Sequence, residues 1–179
     1  MKRMKWLNCI LIVLIAGMLT SAFAGTKHQF DKQGYDKIAK KTIGMIISGN
    51  IDADTMIADM EKLLEMGIAG CKEHMSEKET PPTEAKIMKI TIDNAKKMTT
   101  LTLDEIESQW HEGGALKAKG IDISTLDHFA EVMCHYDAVV HPATAIICLN
   151  EYKKTQKEEL LEQIEAELAE VREHLKHLE

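Results

Sequence analysis

Aromatic residues make up only 4% of this chain, and it holds just three prolines. A core with so few rings has to be built from aliphatic side chains and from methionine, a pliable thioether present 11 times. Few prolines also leave little to interrupt a helix. No segment shows the strict apolar–polar alternation of a half-buried strand, whereas apolar steps of three and four recur almost throughout. An all-α chain follows, a bundle of about five or six helices.

Chemical signatures are scarce too. There is no Gly-x-Ser-x-Gly elbow, no His-Glu-x-x-His and no glycine-rich phosphate loop. The lack of Cys-x-x-Cys-His excludes ordinary covalent haem attachment, and the lack of Cys-x-x-Cys excludes that redox device. Without a repeated Glu-x-x-His, the carboxylate-bridged di-iron bundle pattern is missing. These absences favour a protein without catalytic activity.

Positive charge is in the minority, with 22 Lys and Arg against 29 Asp and Glu. Three of the positive charges, Lys2, Arg3 and Lys5, precede an apolar run over 9–16 and the small-x-small triplet Ala22-Phe23-Ala24. That is the form of a signal peptide over 1–24, cleaved before Gly25, which implies a periplasmic or secreted protein. The apolar run is short for a membrane span of ~20 residues, so no membrane association is expected after cleavage. Cleavage removes three positive and no negative charges, taking the formal net charge from −7 to −10. A surface of that sign argues against nucleic acid.

The remainder, 25–179, reads as a single helical-bundle domain. A first helix over 29–48 places Tyr35, Ile38, Thr42, Met45 and Ile46 on one face. Asp52 or Asp54 caps a second, whose stripe runs Met56, Met60, Leu63, Leu64, Gly67, Cys71 and Met75. Pro81-Pro82 opens a third, which ends near Met98, with Ile87, Ile90, Thr91, Asn94 and Met98 facing inward. Thr102-x-x-Glu105 is a capping box for a short helix that carries Ile106 and Trp110 and stops at Gly113-Gly114. Ser124-x-x-Asp127 then caps a fifth helix with Leu126, Phe129, Val132, Met133, Tyr136 and Val140 on its apolar side. A long C-terminal helix closes the chain. Its Leu161, Ile164, Leu168, Val171, Leu175 and Leu178 form a coiled-coil-like seam over 157–179.

Between the last two helices lies His141-Pro142, a pair that disfavours helix continuation. Cys134 and Cys148 stand equidistant from it. A reversal at this point would face them across a hairpin, and an exported protein retains disulfides, so a Cys134–Cys148 bridge is the leading arrangement. Pairing of either with Cys71, or free thiols along a kinked continuous helix, are the alternatives.

Two groups of residues have the spacing of metal ligands. His128, Glu131 and His135 share one helix face and would suit zinc, copper or nickel. Cys71 and His74, one turn apart, would suit a soft metal. The first face lies opposite the apolar stripe and is expected to be wet, so no bound cofactor is expected, with a transition metal or haem as the alternative. Charge is also segregated. Lys27, Lys32, Lys37, Lys40 and Lys41 make the first helix basic, and seven glutamates from Glu158 to Glu173 dominate the last. The two are expected to adjoin, within one chain or between subunits. The leading functional expectation is an exported binding or scaffold protein, meeting a protein partner or a second copy through its C-terminal helix. A periplasmic metal- or haem-binding bundle is the alternative.

Overall fold

The computed structural model describes residues 30–178, and the leader expected over 1–24 lies outside them. No strand occurs among the described residues. Seven α-helices follow in order: α1 (Lys32–Ile47), α2 (Ala53–Ser76), α3 (Pro82–Met98), α4 (Leu103–Ile106), α5 (Gly114–Lys117), α6 (Glu131–Thr155) and α7 (Glu159–His174). A π-helical turn, Glu107–His111, continues α4, and short 3-10 turns span Ile123–Thr125 and Leu175–His177. The helix starts follow local chemistry. Asp31 and Asp52 accept hydrogen bonds from the backbone N–H groups of Gly34 and Thr55, and Thr102 with Glu105 completes a capping box. Gly113, at φ +72°, supplies the left-handed residue that stops the π turn.

α6 is the axis of the bundle. Every residue from 132 to 149 is buried, and α2, α3 and α7 pack around it. It is long and apolar enough to cross a membrane by length and composition, but in this fold the other helices enclose it. A helix apolar all round is a core helix, not a surface helix with one wet side. It also begins at Glu131 rather than at Ser124, which leaves Phe129 in the connection before it and partly exposed.

The reversal expected at His141-Pro142 does not occur, because α6 runs through Pro142 without interruption. Proline leaves the carbonyl of residue 138 without its helical donor. The hydroxyl of Tyr35, from α1, donates to Ala138 O at 3.0 Å and replaces it. The cysteines therefore lie fourteen positions apart along one helix. That is a rise of about 20 Å, far beyond disulfide reach. Cys71, Cys134 and Cys148 are free, buried thiols, so the bridge is corrected with the hairpin.

The chain does reverse, but at Gln156, where α6 ends in a left-handed residue with φ 54°. Its N–H and its side-chain amide both donate to Tyr152 O, at 2.8 and 3.0 Å, which stabilises a conformation usually left to glycine. α6 and α7 form the αα-hairpin. The seam residues Leu161, Ile164, Leu168, Val171, Leu175 and Leu178 are all buried within the chain's own core. α7 also lies against α1, joined by an ion pair between Arg172 and Asp36 at 2.7 Å. The two terminal helices adjoin as expected, yet this link has the opposite sense of charge to the lysine–glutamate pairing anticipated.

Candidate metal centre

Small residues set the geometry. A Cβ on Gly67 would stand 2.2 Å from Ala138 O, and one on Gly70 would stand 2.8 Å from His135 Nδ1 and from Phe30 Cδ2. Both contacts are far inside van der Waals distance, so only glycine lets α2 approach α6 this closely. The next residues on the same face of α2 are Cys71 and His74. The Cys71 thiol donates to His135 O at 3.3 Å, and the His74 and His135 rings lie 5.3 Å apart, centre to centre.

His74 is 4% exposed and its two ring nitrogens have different surroundings. Nε2 lies 2.9 Å from Glu84 Oε2, a carboxylate held in the first turn of α3. Nδ1 is buried and has no hydrogen-bond partner among the described residues. It lies 4.0 Å from Glu131 Oε1 and 3.9 Å from Glu77 Oε2. On the other side, His135 Nε2 lies 3.9 Å from the same Glu131 oxygen. The His135 ring packs edge-on against Phe30, and its buried Nδ1 also lacks a partner among the described residues. Burial, reinforced by the neighbouring His74, pushes the pKa of His135 down to about 4, so its imidazole is neutral near pH 7.

Two imidazoles and one carboxylate thus converge with ligand atoms within 4.8 Å of one another. Ligands of a tetrahedral zinc stand about 3.3 Å apart at ordinary bond lengths. The two distances to Glu131, 4.0 and 3.9 Å, need a contraction of roughly half an ångström, which its long, half-exposed side chain can supply, and the two imidazoles must also draw together from within 4.8 Å. The outer carboxylate on His74 has a defined effect: it fixes the proton on Nε2 and turns the Nδ1 lone pair toward Glu131.

The structure divides the sequence-derived groupings differently. Glu131 and His135 stay together, but His128 lies before α6 and meets His174 of α7, Nε2 to Nε2 at 2.8 Å. His74 joins Glu131 and His135 instead of Cys71. Burial pushes the Cys71 thiol up to about 12, which keeps it protonated and a poor metal ligand. Glu84 and Glu77 were not singled out in the sequence; Glu84 reaches His74 because α2 and α3 fold back on each other, whereas Glu77, three residues on at the end of α2, is a local neighbour. A cavity of about 670 Å³ lies elsewhere, between the 99–104 turn and the end of α6, where Asn150, Glu151 and Lys154 line it without an imidazole. In comparisons with family models, curated proteins and solved structures, the chain matches none.

Proposed function

We propose that this protein binds a divalent transition metal, zinc or a near neighbour, through His74, Glu131 and His135, in the exported compartment its leader implies. The observation that carries this reading is the unpartnered Nδ1 of His74. A buried imidazole nitrogen without a partner costs about 1–3 kcal/mol in desolvation. Here the other nitrogen is held by Glu84, and Nδ1 faces the Glu131 carboxylate and the His135 imidazole. A cation satisfies all three at once. Glu77 is within reach of the fourth position.

The scaffold reading has lost its main support, since the apolar seam that would bind a partner is taken up inside the bundle. Haem has less support than a bare ion, because the 670 Å³ cavity offers no imidazole. Calorimetric titration of chelator-treated full chain with zinc is the test. His135→Gln should abolish one equivalent of submicromolar binding. Glu84→Gln should weaken the same equivalent by about 10–100-fold, as loss of an outer carboxylate does. Unchanged affinity in both variants would sink the reading.

A further inference from the structure

Four more ionisable side chains are at least nine-tenths buried on the opposite side of α6: Asp137 at 7% exposure, His141 at 2%, His174 at 2% and Glu167 at 9%. The α6–α7 hairpin brings them together, because its two helices run antiparallel from the turn at Gln156. His174 Nδ1 lies 2.6 Å from Asp137 Oδ2, and His141 Nδ1 lies 2.6 Å from Glu167 Oε2. His141 Nε2 points back toward Asp137, with Oδ1 at 4.0 Å, too far for a hydrogen bond. The second nitrogen of His174 meets His128 at 2.8 Å.

A structural staple between two helices is the plain alternative. Its energetic case is weak, because apolar residues of similar volume usually stabilise a core as well as a buried ionic cluster does, or better. The partners chosen are also telling. Among the described residues the ion-pair partners of Asp137 and Glu167 are all histidines, His111, His141 and His174. A carboxylate buried for strength alone is best matched by a bidentate arginine. Carboxylates and imidazoles interleaved on one helix pair are the donor set of a borderline divalent ion. Each imidazole, moreover, has one nitrogen toward the Asp137 carboxylate and the other held by an outer group, Glu167 for His141 and His128 for His174. That is the arrangement that orients imidazole ligands.

We infer that Asp137, His141 and His174 form a second, buried site for a divalent transition metal, oriented by Glu167 and His128. The cluster extends to the surface at one end. His128 and Glu170, both more than half exposed, stand 3.8 Å apart at the surface end, with His174 between them and the interior. At the inner end His111, placed by the π-helical turn, lies 2.9 Å from Thr144 Oγ1 and 3.6 Å from Glu167 Oε2. π turns recur at functional sites. Asp137 Oδ2 and His174 Nδ1, 2.6 Å apart, have to part by roughly 0.7 Å to take an ion between them, and His141 Nε2, 4.0 Å from Asp137 Oδ1, has to close by about as much. This second site stands apart from the one under α2 and α3, and the two can fail separately.

The experiment counts metal on the full chain. Chelator-treated protein is loaded with cobalt(II) or zinc, and bound metal is measured after desalting. Two equivalents are expected in the wild type. Glu131→Gln, a change at a half-exposed residue that leaves the α6–α7 interior intact, should remove one and retain the other. In that background the remaining cobalt should show the visible bands of a low-coordinate nitrogen–oxygen site. Adding Asp137→Asn should abolish them, and adding Glu167→Gln should weaken binding by about 10–100-fold. One equivalent in the wild type, lost in Glu131→Gln, overturns the second site and leaves the first standing. One equivalent that survives Glu131→Gln and responds to Glu167→Gln supports the second site and overturns the first. A wild type that retains no metal overturns both.

Discussion

His135 and His141 stand six residues apart on one helix, yet their surroundings shift them in opposite directions. Burial comes first in lowering His135 to about 4 from its ordinary 6.5. Burial also opposes the charged form of His141, but the hydrogen bond it donates to Glu167 and the charges of Asp137, Glu167 and Glu170 outweigh it and raise that pKa. The signs follow by linkage. Between about 4 and 6.5 the unfolded chain binds the His135 proton and the folded chain does not, so stability present above that window falls as pH drops through it. The full effect is on the order of 3 kcal/mol. The His141 contribution is fully present below the ordinary value and is lost as pH rises through its raised folded value. Urea denaturation of metal-free protein at pH 4.5 and pH 7 separates them. His135→Gln should reduce the acid-side loss, leaving the His141 contribution in place. A variant whose stability declines in acid as steeply as the wild type would show that His135 is not the group responsible.

At the scale of elements, the continuity of α6 through Pro142 depends on α1. Tyr35 donates to the carbonyl that Pro142 leaves without a donor, and burial raises the Tyr35 pKa well above 10, so the hydroxyl keeps its proton. Tyr35→Phe is therefore expected to cost about 1–3 kcal/mol, the penalty of a buried carbonyl without a partner. Pro142→Ala restores a helical N–H to the same oxygen. In that background Tyr35→Phe should cost less, with a coupling of at least ~0.5 kcal/mol in a double-mutant cycle. Additive losses would mean that the hydroxyl and the proline act independently. Helix starts, the capping box and the Pro81-Pro82 entrance were legible in sequence because each is a local contest over a few backbone groups. The fate of His141-Pro142 was not, since the freed Ala138 carbonyl is satisfied by a residue 103 positions away from it. The turn at Gln156 was also hidden, because neither glycine nor proline marks it.

For the whole molecule, the decisive arrangement is a core helix enclosed on all sides. α7 reads alone as a seam for any apolar partner, and inside the chain it finds α6 and α1. Leu168, fully buried, should cost about 2–5 kcal/mol when cut to alanine. The unfolding midpoint should not move over a hundredfold range of protein concentration, since the seam closes within one chain. A midpoint that rises with concentration would place part of that stability between subunits.

By itself the sequence determined an all-helical chain, most of its helix boundaries, its aliphatic and methionine core, and an acidic surface. Those properties rest on periodicity and capping, which neighbouring residues decide. It also held an unread signal: between 132 and 149, His135, Asp137, His141 and Thr144 interrupt an otherwise apolar run. Such residues on a helix buried all round cannot form a wet face. Tertiary structure decided which of them meet. Gly67 and Gly70 let α2 press His74 toward His135 and Glu131, and the reversal at Gln156 lays Glu167 and His174 along His141 and Asp137. Ligand sets drawn from separate helices have no sequence spacing to betray them, because the distance that matters runs across the bundle.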